Sequence, residues 1–121
     1  MLKKYALIIV VAIMALALAV PAFASEEHDC AHEGTSIESL HHCVEHAVEM
    51  GHISKPGIAE ALIAKLEAAH SADERGNTNA ALNALNAFIN QLNAQSGKGV
   101  DAEHAGHLID HTLNVISTLS G

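Results

Sequence analysis

The chain has 121 residues, with 14 acidic residues against 6 basic ones, 10 histidines, no tryptophan and only three other aromatic residues. This acidic balance repels nucleic-acid phosphates, and the chain has few rings on which bases or sugars could stack, so nucleic acid is excluded as a partner. The length predicts one domain with a modest hydrophobic core.

Residues 1–24 have the three-part pattern of a cleavable secretory signal peptide. Two lysines precede an apolar run over residues 6–20, and Ala-Phe-Ala follows at 22–24. The alternative is an uncleaved membrane anchor, but Pro21 and the small residues of the cleavage site argue against it. We therefore expect a secreted or periplasmic protein that begins at Ser25 and does not associate with the membrane after cleavage. From Ser25 onward, four basic residues stand against fourteen acidic ones, a net charge of −10 with neutral histidines.

Residues 25–34 are polar, acidic and aperiodic, which predicts a tail ahead of the globular part. Cys30 in this tail and Cys43 are the only cysteines. In an oxidising compartment they predict one disulfide. The competing interpretation is a thiolate metal site, in which His28 and His32 would flank Cys30.

Residues 35–121 show helical periodicity throughout and no sustained strand-like alternation. Capping residues, glycines and Pro56 predict four helices. These run from Thr35, which forms a capping-box pattern with Glu38, to Gly51; from residues 54–56 to Gly76; from Asn77 to Gly97; and from a cap at Asp101 to the end.

Each expected helix carries one apolar stripe. The stripes are Ile37, Leu40, Val44, Ala47 and Val48; then Ile58, Leu62, Leu66 and Ala69; then Ala81, Leu85, Phe88, Ile89 and Leu92; then Ala105, Leu108, Ile109, Thr112 and Ile116. Four stripes joined by short loops are best buried in a small antiparallel bundle. The sequence therefore predicts an all-α fold of about four helices.

From Gly51 to about residue 118 the sequence resembles the FIMAH domain, a small helical module that recurs in extracellular bacterial proteins. The resemblance rests on Gly51-His52-Ile53, Gly57-Ile58-Ala59, Ala64-Lys65-Leu66 and above all on Ala87-Phe88-Ile89-Asn90 followed by Gly97-Lys98. It implies an accessory or interaction module rather than an enzyme, and we find no catalytic set. It implies no defined ligand.

The histidines form the first candidate site. On the last helix His104, His107 and His111 are spaced to share one stripe beside the apolar face, and on the first helix His42 and His46 form an i, i+4 pair. If these helices are neighbours, the two sets could face each other. Imidazoles flanked by carboxylates favour Zn, Cu or Ni ions. We expect these residues, with His28 and His32, to bind or buffer such an ion. The alternative is that the histidines supply only pH-dependent charge.

Asparagines form the second candidate site. Five of them, spaced by four and three residues, line one face of the third helix: Asn79, Asn83, Asn86, Asn90 and Asn93. Asparagine is a poor helix former, so this face is costly to maintain for solvation alone. It is suited to an extracellular protein or polymer as partner, although a merely solvated face is the simpler alternative. Together these features predict an exported, non-enzymatic binding module.

Overall fold

The computed structural model describes residues 34–121, so the signal peptide and the tail as far as residue 33, with His28, Cys30 and His32, lie outside the described residues. Four helices make up this part, and the all-α prediction is confirmed. They are α1 (Ile37–Glu49), α2 (Pro56–Glu74), α3 (Thr78–Gln95) and α4 (Ala102–Ser120). None of these helices has the length and the apolar character needed to cross a membrane.

Three of the four helices start at a capping side chain, with one difference from the prediction, and α2 starts at Pro56 without one. Asn77 and Asp101 accept hydrogen bonds from the backbone N–H groups three residues on, as expected. At α1 the cap is Ser36 rather than Thr35, and its Oγ accepts from the Ser39 N–H at 3.1 Å. The Ser39 hydroxyl donates back to the Ser36 carbonyl at 2.7 Å, so the two serines pair both the Ser39 N–H and the Ser36 carbonyl. These two reciprocal bonds explain why the cap lies one residue after the predicted Thr35.

The four helices pack as a ring. Each contacts its neighbour in sequence, α1 also contacts α4, and the Cα atoms of diagonally opposite helices stay more than 8 Å apart. The buried positions alternate by three and four residues on every helix, the spacing of coiled-coil-like bundles. They are Ile37, Leu40, Val44 and Ala47; Ala59, Leu62, Leu66, Ala69 and Ala72; Ala81, Leu85, Phe88 and Leu92; and Ala105, Leu108, Thr112 and Val115.

The core differs from the predicted stripes at the edges. Val48 is 38% exposed, and Cys43 is buried on α1 instead. On α4, His111 and Val115 are buried, whereas Ile116 is only partly buried. The cause is the same on both helices. The bundle buries the positions that alternate by three and four residues, and apolar residues next to these positions stay at the margin of the core.

Two loops close one end of the bundle by pairing with each other. The α1–α2 loop and the α3–α4 loop form an antiparallel bridge between Ile53 and Val100, both buried. The Asp101 N–H donates to the His52 carbonyl at 2.8 Å, and the Ser54 N–H donates to the Gly99 carbonyl at 3.0 Å. These bonds join the first helical hairpin to the second and bring His52 next to the start of α4.

Gly99 sits where this loop pair packs on the first turn of α2. A Cβ built at Gly99 would run into the end of the Ile58 side chain. We expect Gly99→Ala to lower the free energy of unfolding by about 1–3 kcal/mol, since the added methyl overpacks the contact. Urea unfolding followed by circular dichroism measures the change.

Gly106→Ala is the matched control, because Gly106 lies in α4 with open space around its Cβ position. Alanine there should stabilise the helix by about 0.5–1 kcal/mol. Adding Ile58→Val, which removes the clashing methyl, should restore part of the stability lost in Gly99→Ala. Equal effects of the two glycine substitutions would contradict this account of the loop packing.

Candidate functional site

The end of the bundle with the paired loops gathers four histidines, which we call the loop-end cluster: His46, His52, His104 and His107. The rings of His52 and His104 are stacked, with centroids 4.2 Å apart and planes 9° from parallel. The His107 ring lies 6.3 Å from that of His104 and is tilted by 41°. The loop pairing carries His52 to this place, and the contact between α1 and α4 brings His46 within electrostatic range of His104.

The environment of His104 disfavours its charged form. Burial lowers the pKa of His104 below its ordinary value of 6.5, and His52 and His107 lower it further by like-charge repulsion. The Asp101 carboxylate opposes these effects, while His46 adds a smaller lowering. These surroundings therefore favour the neutral form of His104 at the centre of the cluster near neutral pH.

His111 lies on the same side of α4 as His104 and His107 by its spacing, but its surroundings differ. It is only 2% exposed, and its Nε2 lies 3.0 Å from the Gly34 carbonyl oxygen and 3.1 Å from the Ser39 Oγ. Because the Ser39 hydroxyl already donates to Ser36, its oxygen accepts here, so Nε2 carries the proton and donates to both oxygens. The expectation that His111 lies beside the apolar face is wrong, because its ring fills the contact between α4 and the start of α1.

The other ring nitrogen of His111, Nδ1, is buried and has no hydrogen-bond partner among the described residues. Protonating it would place an unpartnered N–H and a positive charge in a dry contact. Burial accordingly lowers the pKa of His111, while the hydrogen bond to Gly34 opposes the shift. Neutral His111 thus fastens the beginning of α1 to α4.

A second set of histidines lies in a cleft between α1 and α2, the α1–α2 groove, with a volume of about 420 Å³. Three kinds of side chain line it: apolar, acidic and imidazole. They are Ile37 and Leu66; Glu38, Glu45 and Glu67; and His41, His42 and His70. His41 and His70 are not among the candidate metal ligands that the sequence predicts. The antiparallel hairpin of α1 and α2 brings these residues together, a consequence that a periodicity argument on single helices misses.

The histidines predicted to bind metal are thus divided among different surroundings. His42 lines the groove, His46, His104 and His107 belong to the loop-end cluster, and His111 is buried in a contact. Within residues 34–121 no group of three or more His, Cys, Asp or Glu side chains is arranged to hold a metal ion. Cys43 is buried on α1, and its predicted disulfide partner and the flanking histidines lie outside the described residues.

The five asparagines of α3 are all exposed, as a partner-binding face requires. The whole of α3, from Thr78 to Gln95, contains no charged residue. A charged group contacts this helix from α2, where the Lys65 ammonium donates a hydrogen bond to the Gln91 Oε1 at 2.6 Å. The bundle therefore has two chemically distinct sides, a neutral amide surface on α3 and a histidine-rich, acidic surface around α1. Partner binding by the asparagines stays a prediction.

A sequence model of the FIMAH domain family matches residues 37–117, and the chain belongs to this family. The match includes α1, so the family resemblance extends further toward the N-terminus than the sequence motifs indicated. The family comprises non-catalytic modules of extracellular bacterial proteins. No curated protein and no solved structure matches the chain.

The buried position of His111 predicts a specific dependence of stability on pH. A lowered pKa in the folded state means that the unfolded chain takes up the proton first as pH falls. The stability that depends on neutral His111 is therefore complete above about pH 6.5, the ordinary pKa, and is lost as pH falls toward the lower pKa of the folded state. His111→Gln keeps a donor near the Nε2 position and cannot titrate, so we expect a weaker loss of stability between pH 7.5 and 5.

Urea unfolding of wild type, His111→Gln and His111→Ala at several pH values measures this effect. His111→Ala should cost about 1–3 kcal/mol at pH 8, because the Gly34 carbonyl loses its donor. His42→Gln, at an exposed histidine of α1 outside the loop-end cluster, is the control and should leave the wild-type pH profile nearly unchanged. If His111→Gln and His42→Gln follow the same profile, His111 is not the titrating contact.

Proposed function

We propose that this chain is an exported, non-catalytic interaction module whose histidines make its surface charge depend on pH. The observation that carries the proposal is the family match, which spans α1 to α4 and so takes in nearly the whole described fold. The signal-peptide pattern of residues 1–24 supports export. The two distinct sides of the bundle supply surfaces on which partners of different chemistry can dock.

The charge of the exported chain is set by its histidines in the range between neutral and mildly acidic pH. From Ser25 onward the chain carries −10 with neutral histidines, and its ten histidines would bring that to zero if all were protonated. Histidine is the side chain that ordinarily gains charge between about pH 7 and 5, while carboxylates stay ionised. A module of this kind loses its self-repulsion in mild acid.

A transition-metal role is the second candidate function, and the number of histidines is what favours it. The arrangement of the described residues supports it less well than the charge role, because His42, His111 and the loop-end cluster occupy separate surroundings. A metal site would have to draw on His28, His32 or Cys30. Zn, Cu and Ni remain the ions to test.

The surface-charge proposal predicts a change of association state with pH. The protein should be a monomer or small oligomer above about pH 7.5 and should associate near pH 5, where its net charge approaches zero. Dynamic light scattering from pH 8 to 5 measures the hydrodynamic radius. The control is wild type in high salt, where screened repulsion should make the radius depend less on pH.

A variant with the seven accessible histidines replaced by glutamine provides the internal test; they are His41, His42, His46, His52, His70, His104 and His107. It keeps His111 and therefore the contact at the start of α1. We expect its radius to change much less between pH 8 and 5 than that of wild type. A wild-type radius that stays flat over this range, or a variant that associates as wild type does, would contradict the proposal.

A further inference from the structure

The α1–α2 groove combines an apolar floor with anionic walls. Leu66 is fully buried at its base and Ile37 is 5% exposed. Three carboxylates surround them: Glu38 and Glu45 from α1, and Glu67 from α2. No lining residue carries a permanent positive charge. The closest lysine in sequence, Lys65, is turned toward α3, where its ammonium donates to Gln91.

Among residues 34–121 no lining carboxylate of the groove forms a close ion pair. The Glu45 Oε1 lies 3.7 Å from the His41 Nδ1, beyond hydrogen-bond length. His70, at the other wall, points its Nε2 to the Oε1 of Glu74 at 3.3 Å. With neutral imidazoles the groove therefore presents three negative charges to whatever enters it.

We propose that the α1–α2 groove binds a segment of a partner protein that carries basic side chains next to apolar ones. This inference rests on the proposed role as an interaction module and names the chemistry of one partner. Charge complementarity selects arginine or lysine, and the floor of Ile37 and Leu66 selects an adjacent aliphatic side chain. A second copy of this chain is disfavoured as occupant, because the protein is strongly acidic.

The histidines of the groove make this binding reversible by acid. Three imidazoles, those of His41, His42 and His70, stand among the three carboxylates. From α1 the groups that face the ligand are Glu38, His41, His42 and Glu45, and from α2 they are Glu67 and His70, with Glu74 beside His70. When the imidazoles are protonated they neutralise the lining carboxylates and repel a cationic ligand. The groove should therefore hold its partner near neutral pH and release it near pH 5.

The test uses a fluorescently labelled, capped six-residue peptide in which arginine and leucine alternate, titrated with the protein at low salt by anisotropy. We expect saturable binding at pH 7.5 and an affinity about tenfold weaker at pH 5. The same peptide with citrulline for arginine keeps the shape without the charge and should bind about tenfold more weakly. NMR amide shifts at pH 7.5 should be largest along the groove walls on α1 and α2.

Two double variants separate the groove from the bulk charge. Glu45→Gln with Glu67→Gln removes two groove carboxylates at exposed positions, and we expect an affinity about tenfold weaker. Glu60→Gln with Glu103→Gln removes the same charge outside the groove and should change the affinity less than about twofold. Equal losses in both variants, absence of binding at pH 7.5, or undiminished binding at pH 5 would overturn the inference. The light-scattering test of surface charge does not depend on this peptide, so the two proposals can fail separately.

Discussion

The structure depends on the burial of one apolar stripe per helix at alternating three- and four-residue spacing. Each stripe is four or five residues long and made almost entirely of Ala, Leu, Ile and Val, with Phe88 as the only large ring. Because such narrow stripes let helices pack closely, the rest of each helix surface does not contribute to the core. The α3 asparagines and, apart from His111, the histidines of the described helices occupy this remaining surface. Thr112, the one hydroxyl within a stripe, is satisfied by donating to the Leu108 carbonyl at 2.6 Å.

The ring of helices decides which surface residues meet. The hairpin of α1 and α2 places His70 opposite His41 and His42 and encloses the α1–α2 groove. The closure of α1 on α4, secured by the pairing of Ile53 with Val100, stacks His52 on His104. Within residues 34–121 neither grouping brings three or more ligand side chains into position to hold a metal ion, yet each places imidazoles where their protonation changes the local charge. The scaffold thus carries its described surface histidines in two separate groups, one in the α1–α2 groove and one in the loop-end cluster.

Much of the fold could be predicted from the sequence, because its determinants are local. Asn77 and Asp101 mark the starts of two helices, and α2 lies between Pro56 at its start and Gly76 just after its end. The functional surfaces could be predicted only in part, because they depend on tertiary contacts. By its spacing from His104 and His107 in the sequence, His111 could equally be an exposed histidine. It is a buried donor only because Gly34 and Ser39, more than seventy residues away in the chain, pack against it. Val48 is apolar, but it lies one position beyond Ala47, the last residue of the buried stripe of α1, and is therefore exposed.

The central claim is that the histidines of this module act through their charge rather than as ligands of a specific metal ion. Isothermal titration calorimetry of the tag-free protein, expressed from Ser25 onward, with Zn, Cu and Ni ions at pH 7.5 tests it most directly. The account predicts weak heats without defined stoichiometry that change little when His104 and His107 are replaced by alanine. A stoichiometric site of micromolar affinity or better, lost in that variant, would contradict it.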